Sequence, residues 1–129
     1  MSRTPEEQGN LDLVLEMFKN VLQPLDSAAV DRYISPDYVQ HSQMAPPGRD
    51  ALKAFLDWAA KENPHNTQTI KRAFVDGDHV VLHYHVVRWP GDLGFAVMDI
   101  FRIENGLIAE HWDVVQDVPA EPVNPNGMF

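Results

Sequence analysis

The pattern of apolar and polar positions divides the chain into a helical first half and a β-rich second half. Before Thr67 the apolar residues recur with helical spacing, and after it they alternate with a period of two. Helical spacing places apolar side chains along one stripe, whereas alternation turns them to one face of a strand. The sequence therefore predicts an α+β fold in which helices pack on one face of a curved, mainly antiparallel sheet.

Three helices are predicted in the first half. The first begins at Thr4-Pro5-Glu6-Glu7, which offers a capping hydroxyl, a proline at the first helical position and a glutamate at N3, and it ends before Pro24. The second is a short helix that begins near residue 26, includes Ile34 and breaks at Ser35-Pro36. The third extends from about residue 48 to 61.

Four long antiparallel strands are predicted to follow, at residues 67–75, 79–89, 95–104 and 107–117. The tail at residues 119–129 is rich in proline and is predicted to be irregular. Its apolar end, Met128-Phe129, is expected either to cap a pocket or to fray.

The last two strands are joined at Asn105-Gly106, the strongest short-range signal for a β-hairpin. A two-residue loop would turn Asp99 away from His111 and Asp113, because a slip of one residue exchanges the two faces. A three-residue loop that includes Glu104 would bring the three side chains to one face. We favour the three-residue loop, since it gathers two carboxylates and an imidazole where they can perturb one another's pKa values.

In the favoured register Phe101 shares the face of Asp99, while Arg102 and Glu110 are neighbours on the other face and can form an ion pair. Both faces contain many apolar residues, so the sheet is expected to be covered on both sides. Ionisable groups in such a place are costly unless they are paired or used. The alternative is that these side chains are ordinary solvated residues of a strand.

Length and charge narrow the classes of partner. The chain has 129 residues, which fits a single domain, residues 1–129, and its 19 acidic and 10 basic residues give a net charge of −9. This charge opposes binding to nucleic acid or to an anionic membrane surface. The chain has no cysteine, which excludes disulfide and thiolate chemistry, and its N-terminus lacks the apolar core of a signal peptide. We expect a cytoplasmic protein that binds a small molecule.

Several histidines are candidates for binding chemistry. His83 and His85 lie two residues apart in a strand and therefore point to the same face, where His111 or Asp113 would complete a metal site. The commoner alternative is that one histidine is a satisfied core residue and the other lines a cavity without metal. Since no metal-ligand motif with diagnostic spacing, no phosphate-binding loop and no nucleophile elbow is present, we predict no metal and no cofactor. Trp89 is expected at a pocket mouth or a dimer edge.

Four motifs together resemble the SnoaL-like group of the nuclear transport factor 2-like superfamily. They are Tyr38-Val39-Gln40-His41 ahead of Pro47-Gly48-Arg49, Val81-Leu82-His83-Tyr84-His85, Asp99 to Gly106, and Glu110 to Val114. The resemblance spans nearly the whole chain. It implies a cone of helices and curved sheet around an apolar pocket, and a homodimer that forms through the sheet.

The resemblance also implies a chemistry. Polyketide cyclases of this group close a ring by intramolecular aldol condensation without a cofactor, and use an aspartate near the end of the sheet as acid/base; Asp113 matches that aspartate. We predict that Asp99 and His111 orient or tune it. The residues predicted to contact a small hydrophobic or carbonyl-containing ligand are Tyr38, His41, His83, His85, Trp89 and Phe101. A dehydratase or isomerase, and a ligand-binding protein without turnover, are the alternatives on the same scaffold.

Overall fold

A computed structural model describes residues 2–129 and shows how the helical half begins. Helix α1 (Pro5–Met17) continues into a π-helical turn (Phe18–Leu22). The Thr4 hydroxyl accepts a hydrogen bond from the Glu7 N–H at 3.1 Å, and Glu7 Oε1 accepts one from the Thr4 N–H at 2.9 Å. This capping box confirms the predicted helix start, because it satisfies N–H groups that a first helical turn leaves without partners.

The second helical segment is shorter than the sequence predicted. A 3-10 helix (Ser27–Arg32) is followed at once by strand β1 (Ile34–Gln40). The Tyr33 carbonyl accepts a hydrogen bond from the Ile108 N–H at 2.8 Å, so the last strand supplies backbone partners that a longer helix would have supplied locally. The prediction that Ile34 belongs to a helix is therefore wrong. Helix α2 (Arg49–Glu62) matches the predicted third helix.

The sheet contains the four predicted antiparallel strands and one strand that the sequence did not reveal. Its order is β1-β5-β4-β3-β2, with β1 parallel to β5 and every other pair antiparallel. The bounds of the remaining strands are β2 (Thr67–Asp76), β3 (His79–Val87), β4 (Phe95–Glu104) and β5 (Leu107–Asp117). Strand β1 contains Pro36, which fits its place at the edge of the sheet, where a missing N–H breaks no ladder.

The hairpin between β4 and β5 combines features of both registers considered above. Glu104 pairs with Leu107 across a two-residue turn, and Asn105 and Gly106 both have positive φ, 52° and 75°. The expected three-residue loop is therefore wrong. A bulge beyond Ile103 adds one residue to β5, so that Asp99 pairs with Asp113. The two-residue turn alone would place Asp99 on the face opposite to His111 and Asp113, and the extra residue in β5 returns all three to the same face.

As a result, the two faces of the hairpin carry the side chains that the favoured register had assigned to them, with Ile108 as an exception. Asp99, Phe101 and His111 are buried on the inner face, which packs against the helices. Ile108, which that register had placed outside, is also buried there, because the bulge lies after it. On the outer face Arg102 Nε lies 2.9 Å from Glu110 Oε1, as the predicted ion pair requires.

Much of the outer face of the sheet is exposed in the single chain, which corrects the expectation that both faces are covered. Ladder partners Phe74, Val81, Ile100 and Trp112 form one row across it. Val114, in the next row, is 71% exposed. An apolar surface shared by neighbouring strands is typical of a contact site.

The last residue of the irregular C-terminal segment, Phe129, lies on part of this outer face. The Phe129 ring stacks on His83 and His85, with ring centroids 5.4 Å and 4.5 Å apart, and therefore does not cap the inner cavity. Within residues 2–129, no helix is both long enough and apolar enough to cross a membrane.

Candidate active site

A cavity of about 290 Å³ lies between the helices and the inner face of the sheet. Most of its wall is apolar and comes from α1, α2 and strands β3 to β5. The apolar and aromatic lining residues include Met17, Leu22, Leu52, Phe55, Leu56, Phe95, Val97, Phe101 and Val115. Met44 and Trp58 line it while remaining about half exposed, so they lie at its opening. A small apolar cavity with a few convergent polar groups is the usual form of a small-molecule site.

The polar end of the cavity is built around Asp99 and His111. Asp99 is 1% exposed, and its Oδ1 lies 2.8 Å from His111 Nε2. Its Oδ2 is buried and has no hydrogen-bond partner within residues 2–129. A buried oxygen without a partner costs about 1–3 kcal/mol. Such an arrangement is more typical of a functional site than of a structural ion pair.

A second set of groups connects His111 to strand β1 and to the turn after it. Gln40 Oε1 lies 2.7 Å from His111 Nδ1, and Gln40 Nε2 donates a hydrogen bond to the Tyr38 hydroxyl at 2.9 Å. Ser42 Oγ donates to Asp113 Oδ2 at 2.8 Å. The parallel pairing of β1 with β5, which places Gln40 opposite His111, brings these residues together.

Two tyrosines complete the polar end. Burial, assisted by the nearby Asp99 carboxylate, raises the pKa of Tyr38 and of Tyr84 well above the ordinary value of 10.0. Both phenols therefore keep their protons at neutral pH and can donate hydrogen bonds.

The structure brings five of the predicted site residues to this cavity. Tyr38, Asp99, Phe101, His111 and Asp113 all line it. They come from three different strands. A hydrogen bond from the Ser42 backbone N–H to Gln40 Oε1, at 3.0 Å, joins the contacts above and connects four of these residues in one cluster with Gln40 and Ser42.

The other four predicted residues lie elsewhere, which corrects their assignment to the substrate. His41 is on the outer face, where its ring stacks on Trp112 at 4.9 Å and its Nε2 lies 2.6 Å from Glu110 Oε2. Trp89 is about half exposed in the loop after β3, under the Arg88 guanidinium.

His83 and His85 share one face, as predicted, but it is the outer face. The alternation that buries Leu82 and Tyr84 turns both histidines away from the cavity. Strand parity therefore also removes the metal site that would combine them with His111 or Asp113.

Three residues at the polar end of the cavity were not predicted as site residues: Gln40, Ser42 and Tyr84. Tyr84 had a usable signal, because at every second position of β3 it shares a face with Val80, Leu82 and Val86. Gln40 and Ser42 had none, since their place depends on the parallel pairing of β1.

One group of side chains has the spacing of metal ligands. Single ligand atoms of Asp99, His111 and Asp113 lie within 4.8 Å of one another. A divalent cation bound there would have to displace the contact between His111 Nε2 and Asp99 Oδ1, which a single proton already explains. The geometry thus permits a cation without requiring one.

Comparison with known proteins identifies the fold. The SnoaL-like domain model matches residues 14–111. TsrD from Streptomyces laurentii aligns with a TM-score of 0.70 and 22% identity, over 84% of this chain and 89% of that one. No curated protein matches the sequence.

Two further solved structures are similar at low identity. A candidate SnoaL-like polyketide cyclase from Jannaschia sp. CCS1 aligns with a TM-score of 0.72 and 18% identity, over 89% of this chain and 90% of that one. A candidate ketosteroid isomerase from Kribbella flavida DSM 17836 aligns with a TM-score of 0.73 and 15% identity, over 94% and 87%. At these identities the structural likeness concerns the fold alone. The domain match, which covers most of the chain, shows that the chain belongs to the SnoaL-like family.

Proposed function

We propose that this chain is an enzyme that performs cofactor-independent acid/base chemistry next to the carbonyl group of a small neutral substrate. The observation that carries the proposal is the convergence of Asp113, His111 and Tyr38 on one largely apolar cavity. Enolisation of a carbonyl compound needs a base, an acid and a hydrogen-bond donor for the developing oxyanion, and these residue types supply the three roles.

Asp113 is the proposed base. Its Oδ2 is held by Ser42, while its Oδ1 accepts no hydrogen bond from residues 2–129. Oδ1 takes a proton from the carbon next to the carbonyl, the electrons of that C–H bond form the C=C bond of the enolate, and the carbonyl π electrons move to oxygen. The Tyr38 hydroxyl donates a hydrogen bond to this oxygen. The His111–Asp99 pair lies beside it as a source of a proton.

The fate of the enolate decides the reaction. In the cyclisation we propose, its carbon attacks a second carbonyl of the same molecule, and the resulting alkoxide takes the proton held by Asp113. Membership of the SnoaL-like family supports this choice. Isomerisation, in which the proton returns to a different carbon, is the second candidate, because a fold neighbour is a candidate ketosteroid isomerase.

The charges around the cavity favour a neutral substrate. Asp99 and Asp113 lie at its polar end, and among the described lining residues Arg88 is the one Arg or Lys side chain. The Arg88 guanidinium is already occupied by two hydrogen bonds to the Asp92 carboxylate, at 2.8 Å and 3.1 Å. A carboxylate or phosphate on the substrate would therefore meet repulsion without compensation.

The test is hydrogen–deuterium exchange next to a carbonyl. Tetralone and a panel of other neutral cyclic ketones are incubated with the protein in D2O, and loss of the α-hydrogen signal is followed by NMR. We expect exchange faster than in buffer for at least one ketone. The Asp113→Asn variant should remove this catalysis, and Asp117→Asn, an exposed position of the same strand, should keep it.

The outcomes separate the candidate functions. Exchange without ring closure of a dicarbonyl compound would favour the isomerase. If ketones bind, as shifts of protein NMR signals would show, but no ketone exchanges its α-hydrogens, the chain is a binding protein and the proposal is overturned.

The proposal includes a homodimer formed through the outer face of the sheet. Its support is the exposed apolar surface made by Phe74, Met98, Ile100 and Val114. Self-association would remove this surface from water and leave the cavity, on the opposite face, accessible.

A further inference from the structure

The Gln40 side-chain amide makes three contacts that together define where hydrogen atoms lie in the site. Its Oε1 accepts a hydrogen bond from the Ser42 backbone N–H at 3.0 Å and lies 2.7 Å from His111 Nδ1. Its Nε2 lies 2.9 Å from the Tyr38 hydroxyl oxygen.

The backbone decides which way this amide faces. The Ser42 N–H can only donate a hydrogen bond, so the Gln40 atom opposite it must be the carbonyl oxygen. The oxygen and nitrogen of a glutamine amide can often be exchanged without a clear loss of hydrogen bonds. Here the exchange would place the Gln40 NH2 group against the Ser42 N–H, so that two donors would face each other. The His111 nitrogen that faces the same oxygen must then carry a hydrogen, which makes it Nδ1–H.

The second nitrogen of His111 follows from the first. Nε2 lies 2.8 Å from Asp99 Oδ1, and at that distance two lone pairs cannot face each other. One proton must therefore lie between them, either on an imidazolium beside a carboxylate or on a carboxylic acid beside a neutral imidazole. In both forms the pair has no net charge.

We infer that Gln40 is a positioning residue that holds His111 in the Nδ1–H form and so keeps one transferable proton between His111 Nε2 and Asp99. Its importance for turnover rests on the proposed function, whereas the position of the hydrogen does not. Without Gln40, the neutral Nε2–H form of His111 could bond an ionised Asp99, and the pair would hold one proton fewer.

The same amide also controls Tyr38. Because Gln40 Nε2 donates to the Tyr38 oxygen, the hydroxyl hydrogen is not needed for that contact and is available to a ligand in the cavity. One glutamine thus directs both proposed donors, the phenol and the shared proton, toward the substrate.

The experiment measures the protonation of each His111 nitrogen at neutral pH. Protein labelled with 13C and 15N is examined by long-range 1H–15N correlation NMR, and the His111 ring signals are assigned through their correlation with the backbone signals of the same residue. We expect a hydrogen on Nδ1 in the parent. An uncharged ring with its hydrogen on Nε2 would overturn the inference, and this result needs no variant to fold.

Variants then test the role of Gln40. Gln40→Leu, which lacks the acceptor, should move the neutral His111 ring to the Nε2–H form. Gln40→Glu keeps an acceptor for both N–H groups and should retain Nδ1–H. Gln43→Leu, an exposed glutamine three residues away, should change nothing. An unchanged His111 spectrum in Gln40→Leu would also overturn the inference.

Activity distinguishes this inference from the proposed function. If exchange of α-hydrogens is found, Gln40→Leu should lower kcat by about ten- to a hundred-fold, by analogy with the groups that hydrogen-bond and orient metal-bound histidines. If His111 has the expected form and no ketone exchanges, the hydrogen-bond inference stands and the proposed function fails.

Discussion

Two pairs of side chains on the same two strands show how far environment, and not distance, determines chemistry. Asp99 and His111 approach to 2.8 Å on the inner face, and Arg102 and Glu110 approach to 2.9 Å on the outer face. Both pairs link β4 to β5. The inner pair is almost completely buried, whereas Arg102 and Glu110 remain in contact with solvent.

This difference in burial gives the pairs different roles. Water and salt screen the outer pair, so it adds little to stability and has no evident use beyond it. The inner pair is shielded from bulk solvent, and one of its carboxylate oxygens, Asp99 Oδ2, has no hydrogen-bond partner among residues 2–129. Both of its side chains line the cavity, so a proton held between them is close to any ligand bound there. The inner face is therefore the candidate for catalysis and the outer face for association.

The largest expected effect is on turnover at the inner face. Asp113→Asn keeps the size of the side chain and removes the base, so the rate of α-hydrogen exchange should fall by about 10²–10⁴-fold, the usual contribution of general acid/base catalysis. Glu110→Gln, the same change of charge on the outer face, should leave the rate within about two-fold. NMR-monitored exchange measures both. Equal losses in the two variants would contradict the division between the faces.

The next effect is on stability and compares one residue type on the two faces. His111→Leu leaves the buried Asp99 carboxylate without its partner and should lower the free energy of unfolding by about 3–5 kcal/mol. His83→Leu, on the outer face of the same sheet, should change it by about 0.5 kcal/mol. Urea unfolding followed by circular dichroism, at one protein concentration, gives both values. If His83→Leu lowers the free energy of unfolding as much as His111→Leu does, the two faces do not differ in the way that their burial predicts.

The sequence predicted the elements of this fold better than their pairing. Helical spacing and capping residues are local, and they located α1 and α2. Strand β1 was missed because its parallel partner lies about seventy residues later in the chain, and no local pattern encodes that pairing. Gln40 and Ser42 were missed for the same reason.

The inner-face set illustrates a correct placement reached through an incorrect loop. Asn105-Gly106 forms the two-residue turn, which alone would have turned Asp99 away from His111, and the bulge in β5 restores the face. A bulge has no reliable sequence signal. The alternation of side chains between the two faces therefore could not be followed from the turn to Asp113. Along β3, by contrast, alternation is unbroken, and the burial of Leu82 and Tyr84 would have predicted that His83 and His85 face outward.

A smaller effect concerns association of the outer face. Val114→Glu places a charge on the most exposed part of the apolar surface, and in a dimer the charge would be buried at the interface. We expect a dimer mass for the parent and a monomer mass for the variant in sedimentation equilibrium, with unchanged α-hydrogen exchange. Gln116→Glu is the control, because it adds the same charge at another exposed position of β5, two residues further along the strand. A monomeric parent would contradict association through this face.

The smallest effect is the pH dependence contributed by the outer pair. Hydrogen bonds from His41 and Arg102 lower the pKa of Glu110 below its ordinary value of 4.5. Because the folded pKa is lower than the unfolded one, this carboxylate stabilises the fold above about pH 4.5, and the stabilisation is lost as the pH falls through the folded pKa. Glu110→Gln should therefore be less stable than the parent at neutral pH, with a difference that shrinks toward acid pH.

Urea unfolding across this range of pH, at high and low salt, checks the expectation, with Glu121→Gln in the irregular tail as the control. Since Glu110 is in contact with solvent, added salt should reduce the neutral-pH difference between Glu110→Gln and the parent. The His111→Leu loss should respond much less to salt, because the inner pair is almost completely buried and charges in such a place are screened less. A difference at Glu110 that resists salt would mean that the outer pair is shielded in solution, as it would be within a dimer.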